Sequence, residues 1–231
     1  MKQRRLQFAS LVAVGLAAAC YGASANAEGF YFGLDLGSAS FDLNKADLDT
    51  NFLTPYEDVL KASGLTIASA PSSVDDTDNA WAANVGYRFN SYVAAEFGYV
   101  NLGEGLYSAN VTSTNGVTSF HDVPSVRVTS SGPTAALLGI FPFGSFEVYG
   151  KAGLFFSNTK VRQKLEIEGE DPISSEVKAD SQDAFFGVGA SWNFSENYSA
   201  RVQYQRFVSV GDNDHTGEED VDFISIGILF R

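Results

Sequence analysis

The feature of this 231-residue chain that most constrains its fold is an alternation of apolar residues with small or polar ones at a period of two. It recurs in eight segments, whereas the helical period of 3.6 is nearly absent. Successive side chains of a β-strand point to opposite faces of the sheet, so each segment predicts a strand with one apolar face. The segments cover residues 30–36, 80–89, 92–100, about 126–141, 146–156, 184–194, 198–207 and 222–230.

The lengths of the segments and of their connections predict a membrane barrel. Each segment runs roughly 8 to 11 residues, the length of a tilted strand that crosses a bilayer. The connections after the second, fourth and sixth segments are the short stretches NS, PFGS and SEN, and the other four are long. This alternation is typical of an all-β, eight-stranded antiparallel up-and-down transmembrane β-barrel, with short periplasmic turns and long extracellular loops.

A water-soluble barrel of the lipocalin type would show the same alternation with its apolar face inside. The glycine content of the polar face argues against it, because glycine weakens a water-facing strand but fits a narrow interior that side chains fill. We assign to that interior Gly33, Gly37, Gly86, Gly98, Gly139, Gly153, Gly187, Gly189 and Gly227. In the fourth and least regular segment, we place Ala136, Leu138 and Ile140 together on the apolar face, toward lipid.

Aromatic residues of the apolar face cluster next to the short turns, as in the interfacial girdle of a membrane barrel. A packed core would place its largest rings in the middle of the strands at least as often. The aromatic residues concerned are Phe30, Phe89, Phe146, Trp192, Phe194, Tyr198 and Phe230. We therefore expect the apolar faces, including Ile226, to contact lipid.

The charges on the polar face balance, which suits a closed lumen where an unpaired ion would cost several kcal/mol. We expect the acids and bases to pair, with one group near mid-height and another nearer the periplasmic end. The mid-height group is Glu96, Lys151, Arg201 and Asp35, and the periplasmic group is Arg88 and Glu147. Two interpretations are open: a gate of salt bridges that opens a narrow pore, or a permanent plug, which the narrowness of eight strands favours.

The first 27 residues have the pattern of a cleaved signal peptide. A basic start, MKQRR, precedes a short apolar stretch and the small-residue site ANA, so we expect cleavage before Glu28 and a barrel domain over residues 28–231. An alternative is a lipoprotein signal that would acylate Cys20, the only cysteine. Without the signal's three bases, 12 basic residues face 28 acidic ones, and the resulting net charge of −16 disfavours nucleic acid as a partner.

The long connections are acidic, and the first contains a helix pattern. Thr54 is a candidate N-cap, Pro55 suits the first helical position, Glu57 completes a capping box and Gly64 can end the helix, so we predict a helix at 55–63. The helix would order the loop, cover the barrel mouth or contact a partner. In the last connection, GDNDHTGEED fails as a calcium loop because its bidentate position falls on Phe223.

The sequence contains no recognisable catalytic motif. Lipid-modifying outer-membrane barrels use a histidine with a serine and an acid, but His121 and His215 both lie in predicted loops without such partners at a readable spacing. We predict no enzyme activity, no cofactor and no metal site. Divalent cations could still bridge the acidic loops to lipopolysaccharide phosphates.

Several segments resemble the eight-stranded outer-membrane barrels of the OmpA-like and porin-family type: GFYFGLDLG, VYGKAGLFF, YSARVQYQRF and DVDFISIGILFR. The resemblance implies an outer-membrane location in a Gram-negative cell envelope, with membrane lipid and lipopolysaccharide as partners. It also implies a carboxy-terminal signal for the barrel-assembly machinery at Ile224, Ile226, Ile228 and Phe230, although Arg231 follows the usual terminal aromatic. Because the chain ends at the eighth segment, we expect no peptidoglycan-binding domain.

Three functions are consistent with these patterns. The favoured one is an integral outer-membrane barrel with a structural or narrow-pore role. An adhesin or receptor that binds an extracellular ligand through its loops is the alternative, and a lipid-modifying enzyme is the third.

Overall fold

The computed structural model describes residues 28–167, 171–212 and 217–231, so the expected signal peptide and His215 lie outside it. In this part of the chain, no helix is long and apolar enough to cross a membrane. The strands are β1 (Gly29–Phe41), β2 (Thr66–Ser69), β3 (Ser72–Asp75), β4 (Thr77–Arg88), β5 (Val93–Ala109), β6 (Val111–Thr114), β7 (Ser119–Phe143), β8 (Phe146–Ile167), β9 (Ile173–Asn193), β10 (Tyr198–Asp212) and β11 (Gly217–Phe230).

Eight of these strands form a closed antiparallel ring. The order around it is β1, β4, β5, β7, β8, β9, β10 and β11, and β1 pairs with both β4 and β11. Leu36, for example, lies opposite Trp81 on one side and Ile226 on the other. Since lipid cannot hydrogen-bond to the backbone, closure satisfies the strand edges that an open sheet would leave exposed. The predicted eight-stranded up-and-down barrel is confirmed.

Several strands are much longer than the predicted 8 to 11 residues. Strands β7, β8 and β9 have 25, 22 and 21 residues, so most of the predicted long loops at 101–125 and 157–183 are strand. The sequence analysis missed these extensions because a strand that has left the lipid has no continuous apolar face. Backbone pairing between neighbouring strands nevertheless continues; Val161 of β8, for example, pairs with Val177 of β9.

The two faces of the barrel follow the predicted assignment in most strands. Outward residues such as Leu36 and Ile226 are 67% and 70% exposed, whereas Asp35 and Arg201 on the inner face are buried. Aromatic rings line the outside near the short turns, in the contact series Phe146–Trp192, Trp192–Phe194, Phe194–Tyr198 and Tyr198–Phe230.

The assignment of strand β7 was wrong. Ala136, Leu138 and Ile140 are buried inside the barrel, and Gly139 faces outward with open space around it. The register with β5 places Ala136 opposite Glu96, which is a lumen residue, so the inner face follows from the neighbouring strand. The outward aromatics of β7 are Phe141 and Phe143, next to the turn.

The connection from β1 to β2 forms a helical cover. It consists of α1 (Lys45–Leu48), a π-helix (Asp49–Leu53) and α2 (Thr54–Ala62). The predicted helix at 55–63 is confirmed within one residue, but Thr54 does not cap it, because the π-helix leads into α2 without a break. The cap lies earlier, where the Asn44 side chain accepts a hydrogen bond from the Ala46 backbone N–H.

Candidate functional site

The candidate site is the lumen, where Arg201 holds the centre of a buried ion network. Its Nε donates to Asp35 Oδ1 at 2.7 Å and its Nη2 donates to Asp35 Oδ2. The remaining terminal nitrogen, Nη1, donates to Glu96 Oε1 at 2.9 Å. All three side chains are at most 2% exposed. The guanidinium therefore binds one carboxylate bidentately and a second one end-on, the geometry in which arginine pairs most strongly.

Lys151 completes the charge balance of this network. Its Nζ lies 3.0 Å from Glu96 Oε2, so two bases face two carboxylates. Neutral groups use further acceptor positions: Tyr31 OH donates to Glu96 Oε1 and Asn84 Nδ2 donates to Asp35 Oδ2. A buried ionic network is stable only when its charges cancel and its hydrogen bonds are made, and this one is balanced.

Glycines in neighbouring strands provide the space for this network. Asp35 and Arg201 both lie opposite Gly227, and a Cβ atom at Gly227 would lie only 2.1 Å from Asp35 Oδ1. A Cβ at Gly86 would lie 2.1 Å from Tyr31 Cζ. Several of the glycines that the sequence analysis assigned to the lumen therefore make room for long polar side chains from adjacent strands.

A second ion cluster lies at the end of the barrel that carries the short turns. Arg88 Nη1 lies 2.9 Å from Glu147 Oε1, and Arg231 Nη2 lies 3.5 Å from Glu147 Oε2. Asn193 Nδ2 and Ser191 Oγ also donate to Glu147. The structure thus places the six lumen candidates in two groups and adds Arg231, whose position next to the turn end was the sequence signal that could have identified it.

Above the central network, on the side away from the short turns, the lumen is filled by aromatic rings. Phe207 lies 5.0 Å from both Phe155 and Phe185, measured between ring centroids. Lys151 Nζ lies 5.9 Å from the Phe185 ring, so the ionic and aromatic layers are in contact. Sequence analysis missed this layer because each of these residues has an aromatic or apolar neighbour in sequence that takes the outward position.

Between the two ion clusters, the free space in the lumen is small. The cavity bounded by Tyr31, Leu138, Arg201 and Leu229 has a volume of about 20 Å³, room for about one water molecule. Packed ions and rings therefore occupy the cross-section on both sides of it.

The helical cover is attached to the barrel by two buried or half-buried carboxylates. Asp49 accepts hydrogen bonds from Lys45, Ser72 and Tyr107, and these bonds lower its pKa to about 2. Tyr56 OH donates to Asp122 Oδ2 at 2.6 Å, and burial raises the pKa of Tyr56.

Apolar side chains of the cover complete this attachment. Leu60, Phe52 and Leu48 belong to one apolar cluster with inward residues of β5, β7 and β8.

The terminal strand and His121 lie outside this constellation. Ile224 and Ile226 are exposed on the outer face, with Phe230 at the aromatic girdle. His121 Nδ1 lies 3.1 Å from Thr112 Oγ1 on an exposed hairpin. Within residues 28–167, 171–212 and 217–231, no group of three histidine, cysteine or acidic residues is arranged to hold a metal ion.

Comparison with known proteins identifies one family. The family model described as the OmpA-like transmembrane domain matches residues 25–231. No curated protein sequence matches the chain significantly.

Solved structures with a similar fold include Neisserial surface protein A, at 16% identity and a TM-score of 0.45, covering 89% of this chain and 98% of that one. OprG from Pseudomonas aeruginosa has 14% identity, the same coverages and the same TM-score. Ail from Yersinia pestis has 12% identity and a TM-score of 0.35, with 87% and 97% covered.

Proposed function

The chain belongs to the OmpA-like transmembrane domain family, and from this premise we propose that it is a closed outer-membrane barrel with a structural role in the cell envelope. The observation that carries the proposal is the filled lumen. An ionic layer around Arg201 and an aromatic layer around Phe207 are stacked along the barrel axis, and each layer fills the interior at its own height. Eight strands enclose an interior just wide enough for such side chains, so the network acts as a plug and not as a gate.

A conductance measurement tests the plug. The protein with its signal removed is reconstituted into a planar bilayer, and single-channel current is recorded for wild type, Arg201→Ala and Phe207→Ala. We expect no stepwise conductance from any of the three, because each single change leaves the other layer in place. The variant Arg88→Ala/Arg201→Ala/Phe207→Ala, which opens both ion clusters and the aromatic layer, should conduct, which shows that inserted protein is being measured.

Conductance steps in wild type would overturn the structural role in favour of a narrow pore. Steps in Arg201→Ala alone would instead identify the ion network as a gate. Heat-modifiable gel mobility of each variant establishes that the barrel is folded before recording.

The extended hairpins favour a second candidate function, that of an adhesin or receptor. Val117 at the β6–β7 turn is 93% exposed, and Ile173 at the start of β9 is 62% exposed, both far from the lipid-facing band. Exposed apolar residues at such tips suit contact with another protein. The double variant Val117→Ser/Ile173→Ser should reduce adhesion of bacteria displaying the protein to cultured epithelial cells. Unchanged adhesion would remove this candidate.

We propose no catalytic role. His121 makes its side-chain hydrogen bond to a threonine on an exposed hairpin, and in the part of the chain that the structure describes no carboxylate orients it. Lipid A acylation in cells should therefore be the same for wild type and His121→Ala.

A further inference from the structure

The outer surface beyond the lipid-facing band carries a concentration of basic residues. The basic face comprises the outward residues Arg127 on β7, Lys160, Arg162 and Lys164 on β8, and Lys178 on β9. These are five of the 12 basic residues in residues 28–231, whose net charge is −16. In so acidic a chain, such a concentration on three adjacent strands calls for a specific ligand more than for general solubility.

The register places like charges directly opposite each other. Lys160 lies opposite Lys178, and Arg127 lies opposite Arg162. Opposite positions of an antiparallel pair have Cβ atoms about 5 Å apart, and like charges there destabilise the sheet. A bound anion would remove this repulsion from both pairs.

The acids of the chain do not neutralise these two pairs. Arg127 pairs with Glu104, while Arg162 and Lys178 share Glu176. Lys160 has no ion pair within the described residues. A third carboxylate on this face, Asp180, accepts a hydrogen bond from Asn158 and forms no ion pair with the four bases. Four bases therefore face three carboxylates, which leaves one positive charge in excess, next to the unpaired Lys160.

The height of the basic face matches that of lipid headgroups. Phe156, 43% exposed, belongs to the lipid-facing series of β8, and Asn158, Lys160 and Arg162 follow it on the same face. Lys160 thus lies about 13 Å along the strand from Phe156, at the level where a membrane interface ends. Beside it, Arg127, Arg162 and Lys164 line a surface groove of about 540 Å³.

We propose that the basic face binds the phosphate groups of the glycolipid in the outer leaflet, the lipopolysaccharide that surrounds the barrel. Lys160 and Lys178 would contact a phosphate at the interface, and Arg127 and Arg162 one further from the bilayer. Arginine binds phosphate bidentately and lysine binds it as a point charge. The inference rests on the proposed outer-membrane location, and it does not depend on whether the lumen conducts.

Native mass spectrometry of the folded protein in detergent tests this assignment. The protein is titrated with bisphosphorylated lipid A and, separately, with enzymatically dephosphorylated lipid A. Wild type should bind the phosphorylated form preferentially. Lys160→Gln/Lys178→Gln should bind it about thirtyfold more weakly, since each base near an anionic surface adds to binding.

A matched control removes the same charge elsewhere. Lys45→Gln/Lys61→Gln eliminates two bases that are 51% and 55% exposed in the helical cover, and it should bind lipid A as wild type does. An equal loss of lipid A affinity in both double variants would mean that net charge alone causes the effect, and it would overturn the proposed binding to the basic face. Equal binding of both lipids by wild type would also overturn it.

A sulfated polysaccharide is the competing ligand. Lys160→Gln/Lys178→Gln could lower retention on heparin and leave lipid A binding unchanged. This result would assign the surface to sulfated polysaccharides and overturn the proposal that it binds lipid phosphates. Unchanged heat-modifiability of every variant excludes misfolding as the cause.

Discussion

At the scale of single residues, the central ion network requires a glycine at position 227, where no side chain fills the lumen. Arg201 and Asp35 lie on different strands, with β11 between them, and they meet across Gly227. Any larger residue at 227 would occupy the space of the Asp35 carboxylate, at 2.1 Å, and approach the Leu34 carbonyl oxygen at 2.5 Å.

Gly227→Ala should therefore destabilise the barrel by about 1–3 kcal/mol, the usual cost of forcing extra atoms into a filled interior. The free energy of unfolding is measured by urea titration of the barrel in lipid vesicles. Gly139→Ala is the matched control, since a Cβ there meets no atom within 4 Å and should leave stability unchanged or slightly higher. Equal effects at the two glycines would contradict the packing argument.

Removing one charge from the ion network should lower the free energy of unfolding more than removing an oppositely charged pair. Arg201→Met leaves Asp35 and Glu96 without their main partner and should reduce the free energy of unfolding by about 3–5 kcal/mol. Arg201→Met/Asp35→Asn keeps the Lys151–Glu96 pair balanced and should recover most of that loss in the same urea titration. A double variant as unstable as the single one would show that charge balance is not what holds the network.

At the scale of elements, the docking of the helical cover on the barrel depends on hydrogen bonds that the ionised Asp49 carboxylate accepts. Asp49 connects the π-helix to β3 through Ser72 and to β5 through Tyr107, at 2.6 and 2.7 Å. These bonds favour the carboxylate, so the pKa of Asp49 in the docked loop, about 2, lies below its ordinary value of 3.8.

A pH titration should release the cover. A carboxyl group with a depressed pKa stabilises the docked state above its ordinary pKa, and this contribution is lost as the pH falls from about 4 toward 2. A fluorophore on Val59→Cys, an exposed position, should lose anisotropy over that range. With Asp49→Asn added, anisotropy should already be lower at pH 6 and change less on acidification. An unaltered acid transition in Asp49→Asn would show that Asp49 is not the group that controls release.

At the scale of the whole molecule, the barrel exists only once β11 has paired with both β10 and β1. Strand β11 carries the proposed assembly signal on its lipid face, in the isoleucines and Phe230. The ring of Phe230 packs edge-on against Tyr198, with 5.6 Å between centroids.

Phe230→Ala should reduce the amount of assembled barrel in the outer membrane more than it reduces the stability of the folded protein, because the assembly machinery would contact this residue before closure. The measurement is the heat-modifiable band in outer-membrane fractions, compared with urea stability in vesicles. Phe143→Ala removes another outward girdle aromatic, 59% exposed against 37% for Phe230, from β7. Equal assembly defects in the two variants would argue against a signal at the terminal strand.

The sequence by itself determined the strand number, the closed antiparallel order and the lipid-facing side of most strands, because the period of two is local and lipid demands an apolar face. It also identified the six lumen charges, since charged residues stand out on a face rich in glycine. Only the tertiary structure decided which side of β7 is inside, because Leu138 and Leu137 are both apolar and the register with Glu96 separates them. It alone showed the Phe155, Phe185 and Phe207 layer, the contact of Arg231 with Glu147 and the alignment of Lys160 with Lys178, since each joins strands whose relative height is set by pairing and closure.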